Sequence, residues 1–122
     1  MIAIVDDDAA VRDSLGVLLE CHGYVIQTYV DAESFLSCPK RHLFAGIVAD
    51  LRLPGATGLA MAAQLRAQGI VIPLVMISGH GQPPTDDELE EVAPIQFFEK
   101  PCHPQKLIEY LESMGVAPDE LE

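Results

Sequence analysis

The chain has few basic residues. Seven lysines and arginines stand against nineteen aspartates and glutamates in 122 residues, so the formal net charge is −12. Nucleic acids and anionic membrane surfaces are bound by basic side chains that replace their counterions. This balance of charge excludes nucleic acid and membranes as direct partners of the domain.

Cysteine is also scarce, and tryptophan is absent. The three cysteines, Cys21, Cys38 and Cys102, are odd in number and irregularly spaced. That pattern argues against a disulfide framework and favours reduced thiols in a cytoplasmic protein. A zinc site shared with the histidines is disfavoured, because the sequence contains no CxxC or HxxxH spacing.

Long hydrophobic runs are missing too. No run approaches the roughly 18 apolar residues that suit a membrane span, and no basic leader precedes the first apolar run. The hydrophobic content of 49% is nevertheless high. A chain of this length and composition is expected to fold as one globular cytoplasmic domain with a real core.

Short apolar runs alternate with segments of helical periodicity, which indicates βα units and a parallel sheet. Strands are predicted at residues 2–5, 24–30, 45–49, 70–77 and 95–98, with the second at an edge. Asp8 and Asp31 are expected to cap the first two helices, and Pro104 to begin the last. Five such units favour a doubly wound α/β fold, with helices on both faces and ligands at the carboxyl ends of the strands.

The segment before the fifth strand is unusual. Residues 85–93 have helical composition, but most of these positions are polar or acidic and Pro94 closes the segment. We expect a short, weakly held helix there, since few apolar side chains are available to anchor it.

Polar side chains follow four of the predicted strands. These are Asp6, Asp7 and Asp8 after the first, Asp50 after the third, Ser78 after the fourth and Lys100 after the fifth. Each alone has an ordinary explanation, and Asp8 is best explained as a helix cap. Parallel strands bring their carboxyl ends together, however, and clustered carboxylates suit Mg²⁺. An aspartate in such a cluster can also attack phosphorus.

Four ordered motifs then point to one family. They are IVDDD at residues 4–8, VADLRLPG at 48–55, ISGHG at 77–81 and FEKP at 98–101. The chain resembles, over about residues 1–115, the receiver domain of bacterial two-component response regulators, and most closely the nitrogen-fixation regulator subgroup. The resemblance implies a flavodoxin-like five-stranded parallel sheet of order 2-1-3-4-5. Residues 1–116 would form the receiver domain, and 117–122 a frayed tail or a linker to an absent output domain.

The resemblance also implies a phosphorylation site with a Mg²⁺ cofactor. Asp50 would accept a phosphoryl group from the phosphohistidine of a sensor histidine kinase. Asp7, Asp50 and the backbone carbonyl of Arg52 would bind Mg²⁺ directly, and Asp6 would act through water. Lys100 would pair with the phosphoryl oxygens. Such a domain assists its own phosphorylation and dephosphorylation without being a turnover enzyme.

Further residues acquire roles only through the resemblance. Ser78 and Phe97 would be the switch residues that move on phosphorylation. Arg52 and His80 would tune the rate at which water removes the phosphoryl group. The Lys100–Pro101 bond would be cis.

The predicted function is therefore a phosphoacceptor switch. Phosphorylation would reshape the face formed by the fourth helix, fifth strand and fifth helix, and so control a DNA-binding output domain or drive dimerisation. Two alternatives remain open at this stage. One is a phosphorylation-independent interaction module, favoured by the unusual acidic segment. The other is a phosphohydrolase, disfavoured because no acid stands two residues after Asp50.

Overall fold

Five parallel strands form a single sheet in the computed structural model, which describes residues 1–53, 55, 57–79, 83–100 and 103–118. The strands are β1 (Ile2–Val5), β2 (Ile26–Tyr29), β3 (Gly46–Asp50), β4 (Leu74–Ser78) and β5 (Ile95–Glu99). Their order across the sheet is β2-β1-β3-β4-β5. The predicted topology is confirmed, and β2 lies at an edge as expected.

Helices cover both faces of the sheet. They are α1 (Ala9–Cys21), α2 (Ala32–Leu36), α3 (Gly58–Ala67), α4 (Asp86–Glu91) and α5 (Pro104–Ser113). One core cluster joins Leu19 of α1 and Leu107 of α5 to the sheet, and the other joins Phe35 of α2 and Leu65 of α3 to its opposite face. Among these helices of the described chain, none is long and apolar enough to cross a membrane.

The helix starts follow local chemistry. The Asp8 carboxylate accepts a hydrogen bond from the Ala10 amide at 2.9 Å, and the Asp31 carboxylate accepts one from the Ser34 amide at 2.7 Å. Both predicted N-caps are therefore confirmed. Pro104 begins α5, where its missing N–H costs no intrahelical hydrogen bond.

Two predicted strands were too long. β4 begins at Leu74 instead of residue 70, because the carbonyls of Ile70 and Ile72 accept hydrogen bonds from the guanidinium of Arg66. β2 begins at Ile26 instead of residue 24, because the Tyr24 amide still donates to a carbonyl at the end of α1. A short 3₁₀ helix at Arg41–Leu43 lies between α2 and β3.

The short helix predicted before β5 is present as α4. It spans only six residues, and none of them is buried. Thr85 and Glu88 form a reciprocal capping box, with distances of 3.1 and 2.9 Å between side-chain oxygen and amide nitrogen. The buried Val92 follows directly after the helix. α4 is therefore stabilised by the capping box at its start and by the buried Val92 just after its end, more than by an apolar face of its own.

Candidate functional site

The strand register places the acidic residues together. β1 lies between β2 and β3, with Val5 opposite Ala49, so Asp6, which follows β1, lies beside Asp50, the last residue of β3. The oxygens of Asp6, Asp7 and Asp50 that could hold a metal ion lie within 4.8 Å of one another. These three residues are called the acid cluster below.

The environments within the acid cluster differ. Asp6 is only 3% exposed, whereas Asp7 is exposed. Burial raises the pKa of Asp6 above its usual 3.8, and the charges of Asp50 and Asp7 raise it further. The Asp8 amide and Lys100 oppose this rise. The carboxylates therefore repel one another, and a divalent cation would relieve that repulsion.

The residues present fit Mg²⁺. The cluster offers only hard oxygen donors, which is the ligand chemistry that Mg²⁺ prefers, and one exposed side leaves room for the waters it retains. This donor set contains no sulfur or imidazole ligand that would favour zinc.

The loop after β1 is tightly hydrogen-bonded. The Asp8 amide donates to Asp6 Oδ1 at 2.9 Å. Nη1 of Arg12, in the first turns of α1, donates to the main-chain oxygen of Asp6 at 2.7 Å. No role was predicted for Arg12 from the sequence. Its position four residues after the N-cap was the only signal, because a side chain there can reach back over the helix start.

Asp50 is held from two sides. Its Oδ1 accepts a hydrogen bond from the Arg52 amide at 2.9 Å. Its Oδ2 lies 3.3 Å from Nζ of Lys100. The side chains of Lys100 and Asp50 are 33% and 12% exposed, so both side chains are partly accessible to solvent. The predicted acid and cation thus meet directly.

Ser78 and Lys100 are fixed by the pairing of β4 with β5. Ser78 lies opposite Glu99, and the Lys100 amide donates to the Ser78 carbonyl at 2.9 Å. Ser78 is 5% exposed. A cavity of about 880 Å³ opens here, lined by Asp50, Ser78 and Lys100 on one side and by part of α1 on the other.

Two glycines allow the close packing of this region. A Cβ on Gly58 would lie 2.6 Å from the Asp50 carbonyl oxygen and 2.5 Å from Sδ of Met76. A Cβ on Gly79 would lie 3.3 Å from Cδ of Lys100. The 2.6 Å distance to the Asp50 carbonyl oxygen is too short for any Cβ, so α3 can begin this close to Asp50 only with glycine at residue 58. No role was predicted for Gly58 from the sequence.

The remaining predicted residues are placed as follows. Phe97, in β5, is half-buried and packs against the core between the sheet, α2 and α3. The Arg52 side chain is exposed at the mouth of the cavity. His80 lies outside the described residues, and so does Pro101 with its predicted cis bond. Among the described residues, a cis peptide bond is present at Ala93–Pro94.

Comparison with known proteins identifies the family. Residues 2–112 match the family described as the response regulator receiver domain. The chain belongs to this family, and it is a receiver domain of the response-regulator type. Receiver domains of response regulators are signalling switches.

Individual relatives give a finer picture. The chain is 35% identical over 112 residues to the transcriptional regulatory protein FixJ of Bradyrhizobium diazoefficiens, covering 92% of this chain and 55% of that protein. It is 32% identical over 108 residues to the response regulator protein TodT of Pseudomonas putida, covering 88% and 48% respectively. The structure of the NtrX receiver domain from Brucella abortus superposes with a TM-score of 0.81 at 32% identity, covering 93% of this chain and 97% of that one.

These comparisons confirm the predicted family and its similarity to a nitrogen-fixation regulator. The chain spans only about half the length of FixJ and TodT. What those longer proteins do as a whole therefore does not transfer to this chain directly.

Proposed function

We propose that the chain is a phosphoacceptor switch in which Asp50 receives a phosphoryl group from the phosphohistidine of a sensor histidine kinase. A carboxylate oxygen of Asp50 attacks phosphorus, an O–P bond forms, the N–P bond breaks, and the histidine nitrogen keeps its electron pair. The observation that carries this proposal is the position of Asp50, which lies beside two acids and 3.3 Å from the Lys100 ammonium.

Mg²⁺ is the cofactor that the acid cluster fits. Asp7, Asp50 and the Arg52 carbonyl would bind it directly, with Asp6 acting through water. When bound, the ion neutralises charge that the carboxylate and the incoming phosphoryl group would otherwise bring together. Burial is the main cause of the raised pKa of Asp6, and the nearby charges of Asp50 and Asp7 add to it. A bound cation would offset those two charges, which supports this role.

Lys100 and Ser78 would hold the transferred group. The ammonium of Lys100 already contacts Asp50 and would neutralise one phosphoryl oxygen. The Ser78 hydroxyl would bind a second, since both residues line the same cavity. Exposed Arg52 would tune access of water to the phosphoryl group, as would His80.

The output would be a movement of the α4–β5–α5 face. Ser78 moving toward the phosphoryl group would let Phe97 follow inward, because Phe97 is only half-buried and neighbours Met76 of β4 in the sheet. α4 has no buried residue of its own, so it can shift at little cost in core packing. Residues 1–116 would act as the switch, and residues 117–122 would begin a linker or tail.

The partners would be a sensor kinase and an output domain. The named relatives are transcriptional and response regulators roughly twice as long as this chain, which supports a DNA-binding output domain outside it. The strongly acidic charge supports the view that this domain does not itself contact DNA.

The experiment is Mg²⁺-dependent incorporation of label from radioactive acetyl phosphate. Wild type should incorporate label, and Asp50→Asn should incorporate none. Asp13→Asn is the matched control, because Asp13 is an exposed acid on α1 outside the acid cluster. Equal labelling of wild type and Asp50→Asn would refute the assignment.

The phosphorylation-independent alternative is not favoured by any feature of the site. Its main support was the unusual segment before β5, and that segment forms a capped helix. The acid cluster and the contact of Asp50 with Lys100 are both in place.

A further inference from the structure

The loop after β1 carries three consecutive acids, yet its conformation is fixed. Asp6 Oδ1 accepts from the Asp8 amide, and Asp8 Oδ1 accepts from the Ala10 amide, each at 2.9 Å. The third hydrogen bond comes from outside the loop, from Nη1 of Arg12 to the main-chain oxygen of Asp6 at 2.7 Å. Arg12 is therefore bound to the main chain of the loop.

The carbonyl of the peptide group between Asp6 and Asp7 accepts this hydrogen bond from Arg12. The preceding peptide group is held separately, because the Asp6 amide donates to the Tyr29 carbonyl of β2 at 3.0 Å. Within the part of the chain that the structure describes, the Asp7 carboxylate accepts no hydrogen bond of its own. Its direction is consequently set by the main chain that carries it.

We propose that Arg12 is a positioning residue for the cation site: by holding the carbonyl of Asp6, it aims the Asp7 carboxylate at the ion. This inference rests on the proposed function, since it requires Asp7 to be a Mg²⁺ ligand. Mg²⁺ demands near-octahedral geometry at about 2.0–2.1 Å, so a misdirected ligand costs affinity. Groups that orient metal ligands typically change affinity by about 10–100-fold.

The charge of Arg12 acts in the opposite direction. A guanidinium beside the acid cluster repels a cation, so charge alone predicts that removing Arg12 tightens Mg²⁺ binding. Positioning predicts that it weakens Mg²⁺ binding. The charge effect and the positioning effect therefore predict opposite changes in Mg²⁺ affinity, and one binding titration distinguishes them.

The experiment is a calorimetric titration of the 122-residue chain with MgCl₂. Arg12→Met keeps an unbranched apolar stem and removes the donors, and Arg12→Gln removes the charge while leaving a donor too short to span the same distance. Arg41→Met is the matched control, because Arg41 also donates to a main-chain carbonyl, that of Cys38 at 2.9 Å, and lies outside the acid cluster.

The expected result is roughly tenfold weaker Mg²⁺ binding in both Arg12 variants and unchanged binding in Arg41→Met. Equal or tighter binding in the Arg12 variants would overturn the proposal, and so would an equal loss in Arg41→Met. If Arg12→Met does not fold, Arg12→Gln decides by the same criterion. Absence of Mg²⁺ binding in wild type is the separate result that overturns the proposed function and this inference with it.

Discussion

Asp6 has the most unusual environment of any single residue in the site. It is buried at the end of a fully buried strand and faces two other carboxylates. Burial raises its pKa first, and Asp50 and Asp7 add to the effect. A group whose pKa is raised by folding stabilises the folded state while it is protonated. The stability is lost as the pH rises through the raised folded-state pKa.

The first prediction concerns this residue in the absence of metal. With EDTA present, wild type should lose stability as the pH rises from below 3.8 through the raised pKa of Asp6. Asp6→Asn should lack this part of the pH dependence and should unfold at higher urea than wild type near neutral pH. Urea unfolding followed by circular dichroism at several pH values measures both effects. Identical pH profiles for the two proteins would contradict the prediction.

Adding Mg²⁺ should stabilise wild type more than Asp6→Asn. A ligand that binds only the folded state stabilises it according to its concentration and affinity. Wild type should therefore gain stability with Mg²⁺, and Asp6→Asn should gain less. An equal gain in the two proteins would show that Asp6 takes no part in binding the ion.

Single residues also show where sequence reasoning ends. Asp8 could be identified as a cap from its position before a helical pattern, because capping is local chemistry. Arg66 and Gly58 could not be assigned, because their contacts with Val92 and Met76 join segments that only the folded chain brings together. The acid cluster was predictable since a parallel sheet aligns the carboxyl ends of its strands.

Among the elements, the connection between α3, β4 and α4 depends on one side chain. The Arg66 guanidinium donates to the main-chain oxygens of Ile70 and Ile72 before β4, and to those of Val92 and Pro94 before β5. Burial lowers its pKa, yet an arginine remains charged at any ordinary pH. The positive charge also lies at the carboxyl ends of both α3 and α4, which helix dipoles favour.

We therefore predict that Arg66→Met destabilises the chain by about 2 kcal/mol, because several carbonyls lose a charged donor at once. Urea unfolding gives the free energy of unfolding. Arg41→Met is the control, since Arg41 makes comparable but more exposed contacts with Gln68 and Cys38. Arg41→Met should lower the free energy of unfolding by less than about 1 kcal/mol. Equal effects of the two substitutions would contradict the role given to Arg66.

The boundaries of the elements were less predictable than their existence. The apolar sequence of residues 70–73 resembles a strand, but Arg66 occupies carbonyls that a strand would need. α4 was expected to be short because its composition offers few anchors, and the structure confirms this. The scarcity of apolar side chains in α4 is visible in the local sequence. The hydrogen bonds between Arg66 and the carbonyls before β4 are visible only in the folded chain.

At the scale of the whole molecule, negative charge dominates the predicted output face. The acids on α4, β5 and α5 are Asp86, Asp87, Glu88, Glu90, Glu91, Glu99, Glu109 and Glu112, against the exposed lysine Lys106. Two copies that met through this face would repel each other. Salt screens such repulsion, with a Debye length of about 10 Å at 0.1 M and about 3 Å at 1 M.

Any dimer formed through the α4–β5–α5 face should consequently strengthen with salt. Sedimentation equilibrium of the beryllofluoride-treated chain between about 0.1 and 1 M NaCl measures the association constant. Replacing Glu90 and Glu91 by glutamine should raise the constant at low salt, and replacing the acids of α1, Asp13 and Glu20, should not. Association that weakens with salt would exclude this face as the contact.

The central claim is that Asp50 accepts a phosphoryl group. The most direct measurement is peptide mass spectrometry of the chain after reaction with acetyl phosphate and Mg²⁺. The account predicts one added phosphoryl group per chain, on the peptide that contains Asp50, and none when EDTA replaces Mg²⁺. A phosphoryl group located on any other residue, or incorporation that persists without Mg²⁺, would contradict it.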